Sequence, residues 1–389
     1  MSIFNSLGSN YDLRFVLKSL FGLGNKKDLE KLKLLLEEKY GGKPLLFYKG
    51  REALTFALEL LKLPPDSKIA INGFTCVAVF NAIRKAGHEP LCLDLEESGG
   101  LNFTAKSLEG CLKKEKNLKV VVVQNTLGYP CEIEKIKSIC EKNNLILIED
   151  LAHCVGTRYE NGGEAGTVGD FTVLSFSQDK IIDAICGGAV IVRNKKYLNS
   201  DLDIKMYEPK TQLKDRFYPL ITFKIRLLYG LRIGKIYHSL VKNLGLLTNI
   251  MNESFYNYYK LPSFYAMLAN ASFASLSNQL SHRRKIAEIY ASLLPDKIFM
   301  FPKEKTQEAV SLSSNLRFPI FIDNREDLIN SLKKRGINVA DIWYSDVAPQ
   351  CRNAVNDSKK ILNLPTHINV SVKHAKIIAE EVNKWLRST

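Results

Sequence analysis

The chain has 389 residues, of which 46% are hydrophobic and 25% are charged, as is ordinary for a soluble globular protein. A chain of this length buries a core that needs neither metal nor disulfide staples, and no run of about 18 uninterrupted apolar residues offers a membrane-spanning helix. The formal net charge of +14 predicts an acidic partner such as a nucleotide, a phospholipid or a nucleic acid.

The cysteines and the first residues of the chain indicate the cellular compartment of the protein. The eight cysteines form no C-x-x-C pair and have no metal-ligand spacing with histidine, so we expect reduced, buried thiols and no metal site. Residues 1–27 lack a long apolar core followed by a small-residue cleavage site, so we expect neither a signal peptide nor an anchor. These features predict a cytoplasmic protein.

Helices and short apolar strands alternate along the first half of the chain. The predicted helices are 28–39, 51–63, 77–87, 103–115 and 132–144, and the predicted strands are 68–72, 89–95, 119–124, 145–150, 171–176 and 187–192. Strands rich in Val, Ile and Leu that alternate with helices are typical of a mostly parallel sheet covered on both faces. The sequence therefore predicts an α/β fold.

After residue 192 this alternation stops. Beyond residue 260 the pattern predicts a long helix at about 265–294, a strand at 315–322 and helices at 325–336 and 372–386. We expect four parts, namely an N-terminal helical segment (1–45), a large α/β domain (46–200), a basic amphipathic helical insertion (201–260) and a smaller C-terminal α+β domain (261–389).

Polar residues follow the predicted strands, at the edge where parallel sheets bind ligands. Asp150 ends one strand and His153 lies three residues beyond it, while Ser175 and Lys180 lie at and just past the end of the next. Gly50 precedes a predicted helix, and the amino terminus of a helix after a glycine binds anions readily.

These residue types meet the needs of pyridoxal 5'-phosphate (PLP). That cofactor requires a lysine for an imine, a carboxylate that keeps its ring nitrogen protonated, a cradle for its phosphate and a partner for its ring hydroxyl. Lys180 and Asp150 supply the first two, Gly50 and Ser175 supply a phosphate cradle, and His153 supplies the last.

The stretch IEDLAHCVGTRYENGGEAGTVGDFTVLSFSQDK at 148–180 combines E-D-x-A-[QH], G-x-x-G-D and S-F-x-x-x-K. It resembles the DegT/DnrJ family of PLP-dependent nucleotide-sugar aminotransferases, which have the fold-type I (aspartate aminotransferase-like) architecture. The resemblance covers residues 48–195 and continues more faintly from 261 to the end. It implies a homodimer with active sites near the subunit interface.

The resemblance also implies a role for each site residue. Lys180 would carry the cofactor as a Schiff base and later move the proton, with Asp150 paired to the pyridinium. The remaining cofactor-binding residues would be Gly50, Arg51 and Glu52 (backbone, to the phosphate), Ser175 (phosphate), His153 (ring hydroxyl) and Phe74 or Cys76 (ring face).

The chain departs from the family pattern at three places, the first of which is Cys76, where the family often has an aromatic residue. Ile181, Ile182 and Asp183 follow the lysine where the family commonly has Asn-Leu-Gly, and one residue fewer precedes the Gly-Gly pair. The segment LPSFYAMLANASF at 261–273 lacks the arginine of the family's Asn-x-Arg. Substrate recognition is therefore expected to differ from that of the best-known members.

Residues 216–252 form a basic stretch with six Lys or Arg and no Asp or Glu, interleaved with aromatic and aliphatic residues. This pattern is typical of a helix pair lying on the inner face of a membrane. Two alternatives are a helical insertion packed on a partner subunit and a pocket wall whose cations meet a nucleotide diphosphate. No DNA- or RNA-binding module accompanies the charge, so we expect no nucleic-acid partner.

The sequence thus predicts amino transfer from glutamate to a nucleotide-linked keto-sugar. One alternative is another PLP reaction, on an amino acid or on a membrane-associated substrate. A further alternative is a catalytically idle scaffold or regulator at the membrane surface. The presence of both Lys180 and Asp150 favours an active aminotransferase.

Overall fold

The structure is a computed structural model that describes residues 2–96, 100–198, 205–206, 209–231, 233–247, 257–339 and 347–388. Within these residues no helix is long and apolar enough to cross a bilayer. The strands are β1 (Ile3–Phe4), β2 (Lys43–Phe47), β3 (Lys68–Asn72), β4 (Glu89–Leu93), β5 (Leu118–Val123), β6 (Ile146–Asp150), β7 (Phe171–Ser175), β8 (Gly188–Val192), β9 (Lys205–Met206), β10 (Tyr259–Lys260), β11 (Arg317–Phe321), β12 (Ile337–Asn338) and β13 (Ile361–Pro365).

The helices account for most of the remaining chain. They are α1 (Leu13–Phe21), α2 (Lys26–Tyr40), α3 (Gly50–Leu60), α4 (Val77–Lys85), α5 (Ala105–Lys114), α6 (Ile133–Lys142), α7 (Pro209–Leu228), α8 (Ile233–Asn243), α9 (Ser263–Ala274), α10 (Leu276–Leu293), α11 (Lys303–Leu312), α12 (Arg325–Lys334), α13 (Arg352–Lys360) and α14 (Val372–Ser388).

A nine-stranded sheet forms the centre of the protein, in the order β4-β3-β5-β6-β7-β8-β2-β10-β9. Strands β3 to β7 pair in parallel, whereas β8 is antiparallel to both β7 and β2. Apolar side chains of α3 and α4 cover one face, and those of α2, α6 and α9 cover the other. The carboxyl ends of β5, β6 and β7 therefore open at the same edge, as the predicted mostly parallel sheet requires.

The C-terminal part packs around the antiparallel pair β11–β13. Helices α10, α12 and α14 bury their apolar faces in one cluster with this pair. The first strand belongs here too, because Ile3 and Phe4 pair in parallel with Ile337 and Asn338.

Three sequence-based expectations need correction or addition. The predicted helical segment 1–45 contains α1 and α2 but also β1 and the start of β2. The single helix predicted at about 265–294 is two helices, α9 and α10, which meet at Ser275, whose hydroxyl donates to the carbonyl of Ser272. Helices α11 and α13 and strand β13 were not predicted. The insertion does contain two helices, α7 and α8, while residues 199–204, 207–208, 232 and 248–256 lie outside the described part.

Candidate active site

Two neighbouring carboxylates at the end of β6 point to opposite faces of the sheet, as successive residues of a strand do. Asp150 lines a cavity at the carboxyl edge, and its Oδ1 accepts a hydrogen bond from the N–H of Ala152 at 2.9 Å. Glu149 is buried on the other side, where it holds the loop that follows. Its carboxylate accepts from the N–H groups of Gly166, Val168 and Gly169, each at 2.7 Å.

The cavity beside Asp150 has a volume of about 750 Å³. It brings together seven of the nine predicted site residues, which are Gly50, Arg51, Cys76, Asp150, His153, Ser175 and Lys180. Because these residues come from four separate strand ends and helix starts, their convergence follows from the parallel order of the sheet.

Glu52 and Phe74 are not among the residues that line this cavity. The carboxylate of Glu52 is buried beneath α3 and accepts from the N–H of Tyr259 at 3.4 Å. Phe74 lies in the apolar core behind the cavity. Of the two residues predicted for a ring face, Cys76 therefore lines the cavity, and its thiol also accepts from the N–H of Ala78 at the start of α4.

The amino terminus of α3 lies against the end of β7 with no room for a side chain at Gly50. A Cβ added there would approach the Cβ of Ser175 to 2.8 Å and its hydroxyl oxygen to 3.0 Å. The first ladder bond of the helix runs from the N–H of Ala53 to the carbonyl of Lys49 at 3.3 Å, so the N–H groups of residues 50–52 lie outside the ladder. A glycine-led helix start beside a serine hydroxyl is suited to an anion such as phosphate.

Burial shifts the protonation of the two central groups in opposite directions. It lowers the pKa of the Lys180 amine, although the charges of Cys76 and Asp150 act the other way. Burial also raises the pKa of Asp150, although the hydrogen bond from the N–H of Ala152 and the charge of Lys180 act to lower it. The site therefore favours a neutral amine, and it favours a cationic partner for the carboxylate.

His153 is held neutral beside these two groups. Burial, together with the charges of Lys180 and Arg317, keeps its pKa well below the usual range. The N–H of Leu127 approaches its Nδ1 at 3.4 Å, so Nδ1 accepts and Nε2 carries the proton. A neutral imidazole with a proton on Nε2 can donate to an oxygen atom in the cavity.

The turn that carries Lys180 is bound by the N-terminal segment Ser9–Tyr11. Both the N–H and the hydroxyl of Ser9 donate to Asp179, at 3.2 and 3.0 Å. The hydroxyl of Tyr11 donates to Asp183 at 2.9 Å, and the N–H of Asp179 donates to the same carboxylate at 2.8 Å. Asp183, which departs from the family pattern, thus ties the turn to residues more than 170 positions away.

Sequence reasoning missed several residues of the cavity wall. Gln124 directly follows β5, so the strand-end argument could have included it; its amide accepts from the hydroxyl of Thr75 at 2.6 Å. Tyr218 of α7 and His238 and Lys242 of α8 also line the cavity. The sequence left a pocket wall as one of three interpretations of the insertion, because no local pattern decides where the insertion folds.

A family model described as "DegT/DnrJ/EryC1/StrS aminotransferase family" matches residues 45–383 of the chain. This chain belongs to that family. The match confirms the predicted enzyme class, an aminotransferase that uses PLP. It also explains the joint occurrence of the three motifs around this member's Lys180.

Individual relatives of this family member agree with the assignment. The GDP-perosamine synthase of Vibrio cholerae is 27% identical over 298 residues, 76% of this chain and 70% of that protein. The UDP-4-amino-4,6-dideoxy-N-acetyl-beta-L-altrosamine transaminase of Campylobacter jejuni is 27% identical over 321 residues, 79% of this chain and 76% of that protein. The structure of Helicobacter pylori PseC superposes with a TM-score of 0.73 at 19% identity and covers all of both chains, which confirms the predicted fold.

The residues present fit PLP. The space between α3 and Ser175 admits only a glycine at position 50, which leaves the helix start open to a phosphate. The buried carboxylate of Asp150 favours a cation at the cavity, as a protonated ring nitrogen would provide. Lys180, with its lowered pKa, lines the same cavity.

Proposed function

We propose that this protein transfers an amino group from glutamate to the keto group of a sugar carried on a nucleotide. The observation that carries this proposal is the presence of Lys180 and Asp150 in one cavity with the start of α3. Two relatives with similarity over most of the chain are named for amino sugars linked to GDP and UDP.

PLP, when bound, supplies an electron sink that stabilises negative charge at the carbon next to the reacting nitrogen. Asp150 would keep the ring nitrogen protonated, because its buried carboxylate is stabilised by a positive neighbour. The N–H groups of Gly50, Arg51 and Glu52 and the hydroxyl of Ser175 would hold the phosphate. His153 would donate from Nε2 to the ring hydroxyl, and Cys76 would lie against the ring face.

Lys180 would move the proton in each half of the reaction. Burial lowers the pKa of its amine, which favours the free base that would take a proton from the amino donor and return it to the acceptor. Because Lys180 lines the same cavity as Asp150, the base would lie beside the cofactor ring.

The insertion would contribute to binding of the nucleotide sugar. Tyr218, His238 and Lys242 line the cavity of Lys180 together with Lys49 and Arg51. Several cations around one cavity suit a diphosphate group. This supports the pocket-wall alternative for the insertion and offers a replacement for the missing arginine of the Asn-x-Arg segment.

We also propose a homodimer in the cytoplasm with a peripheral contact between residues 216–252 and the inner face of the membrane. The basic and aromatic composition of that stretch supports the contact. In α8, Ile236 and Leu240 are exposed while His238 and Lys242 line the cavity, so substrate binding and a peripheral contact are compatible.

An absorbance spectrum of the purified protein, before and after addition of glutamate, tests the proposed reaction. We expect a visible band that shifts on glutamate addition and is missing from Lys180→Ala. A protein that stays colourless with added PLP would overturn the proposal and favour the idle scaffold. A coloured protein that glutamate leaves unchanged would favour another PLP reaction.

A further inference from the structure

Exposed large hydrophobic side chains are concentrated in one region of the protein. Of the fifteen in the described part of the chain, all except Leu34 and Leu293 lie within residues 13–23 and 213–246. We call the exposed hydrophobic side chains of these two ranges the outer apolar surface. Single exposed leucines are common in proteins, whereas a concentration of thirteen indicates an interaction site.

The helices that carry this surface form one layer. Helix α7 packs against both α1 and α8, and the hydroxyl of Ser19 in α1 donates to the carbonyl of Arg216 in α7 at 2.8 Å. The inner side of α7 is fixed to the core, because Asp215 accepts hydrogen bonds from the hydroxyls of Tyr48 and Tyr265, at 2.9 and 2.5 Å. The opposite side of α7 therefore faces outward.

Spacing along α1 and α8 produces a continuous stripe on each helix. Leu13, Leu17 and Phe21 recur every four residues, and Phe21 is 76% exposed. Ile233, Ile236 and Leu240 recur at intervals of three and four, and Ile236 is 71% exposed. Such spacing puts each set on one face of its helix.

The charge around these stripes is of one sign. Residues 13–24 contain no Asp or Glu, and residues 213–247 contain only Asp215, which is buried. Exposed cations accompany the stripes at Arg14, Lys18, Lys224 and Lys235. Two other basic residues of the insertion have inward roles, since Arg216 donates to the carbonyl of Gly22 and Arg226 donates to that of Tyr11.

The apolar stripes and the positive charge around them together indicate which kind of partner binds this surface. A second copy of the chain docked through the same surface about a two-fold axis would oppose like charges with no acidic residue to compensate. An anionic lipid surface satisfies both properties, because apolar side chains enter the interface while lysines and arginines meet the headgroups. We infer that the outer apolar surface docks this protein on an anionic bilayer, with α1 and α8 lying in the interface.

Docking would bring the membrane beside the active site. Helix α8 presents Ile236 and Leu240 outward, while its His238 and Lys242 line the cavity of Lys180. Helix α1 begins two residues after Tyr11, the end of the segment that binds the Lys180 turn. If the proposed function holds, amino transfer takes place at the membrane surface.

Vesicle flotation of the full-length protein tests this inference. The protein is mixed with vesicles of phosphatidylcholine alone or of phosphatidylcholine with phosphatidylglycerol. We expect flotation only with the anionic vesicles and a loss of binding as salt rises. Leu17→Glu and Ile236→Glu should each lower binding about tenfold or more, whereas Leu34→Glu, at a leucine that is 66% exposed on α2, should bind as the wild type does.

Each other outcome overturns the inference. Failure to float with anionic vesicles does so directly, as does an equal loss in Leu34→Glu. Conversion of a dimer to a monomer by Ile236→Glu, with flotation unchanged, would assign the surface to a second copy. Thermal unfolding checks that each variant is folded. Flotation does not depend on amino transfer, so failed flotation would remove the proposed membrane contact and leave the proposed amino transfer standing. A colourless protein that floats would refute the proposed amino transfer and leave the membrane contact standing.

Discussion

The side-chain amide of Asn10 donates a hydrogen bond to the backbone carbonyl of Lys180 at 2.8 Å, across 170 positions of sequence. The same amide donates to Asp183 at 3.1 Å, and its oxygen accepts from Arg283 at 2.7 Å. A residue near the start of the chain thus fixes the backbone of the lysine that the proposed reaction depends on.

Replacement of Asn10 should affect the chemical step. We expect Asn10→Ala to lower kcat about tenfold or more with a smaller effect on KM, because the Lys180 turn loses the bond that orients it. Steady-state kinetics measures the two separately. The matched control is Asn5→Ala, which removes a buried amide of the same segment that donates to the carbonyl of Asn363 instead. Both variants should lose about 1 to 3 kcal/mol of stability, and an equal loss of kcat in both would argue against positioning.

Gly50→Ala should weaken cofactor binding. Its Cβ would lie 2.8 Å from the Cβ of Ser175, so the start of α3 must move away from β7, at a cost of about 1 to 3 kcal/mol. Titration of the apoenzyme with PLP should show a Kd raised about tenfold. Gly110→Ala in α5 is the control, since apart from the adjoining backbone of its own helix no atom lies within 4 Å of its added Cβ; it should stabilise the helix by up to about 1 kcal/mol. Unchanged PLP affinity in Gly50→Ala would contradict the proposed cradle.

The two carboxylates at the end of β6 should separate activity from stability. Asp150→Asn should lower kcat about a hundredfold or more, because an amide cannot keep a ring nitrogen protonated. The melting temperature of this variant should stay near that of the wild type. Glu149→Gln should lower stability by about 3 kcal/mol or more, since its amide group would face N–H donors at Gly166, Val168 and Gly169. Calorimetry and kinetics on both variants check this, and a reversal of the two effects would refute the assignment.

Glu52 should make stability depend on pH. Burial raises the pKa of Glu52 from 4.5 to about 8, so between these values the folded state binds more protons than the unfolded state. The free energy of unfolding should therefore fall as pH rises from about 4.5 to about 8, by at most about 5 kcal/mol from this group. Urea unfolding at several pH values should show a shallower fall in Glu52→Gln. Parallel curves for the two proteins would show that Glu52 does not carry the effect.

Much of the fold follows from sequence pattern, because the buried parallel strands are continuous apolar runs. Strand β3 was predicted with the bounds that it has, and the predicted bounds of β4 to β8 differ by at most two residues. Asp150 and Ser175 were found because the end of such a strand is visible in the sequence and parallel order places these ends together.

Other parts depend on contacts that no local pattern encodes. The short strand β1 exists through its pairing with β12, and the Lys180 turn depends on Ser9–Tyr11. The folding of α7 and α8 onto the cavity likewise depends on the burial of Asp215 and Tyr218 among distant residues. Of the cations counted in the insertion, Arg216 and Arg226 serve packing, which composition cannot distinguish from surface charge.

The pairing of Ile3 with Ile337 determines when the N-terminal segment can fold during translation. During synthesis the first residues leave the ribosome long before their partner strand does, since chains emerge at about 5–20 residues per second and fold as they emerge. The central sheet can assemble in the meantime, but the segment that runs from Ile3 to Tyr11 lacks its partner strand until β12 has been translated. Lys180, whose turn this segment binds, therefore reaches its final environment only after β12 has been made, so we expect an incomplete chain to lack the proposed activity.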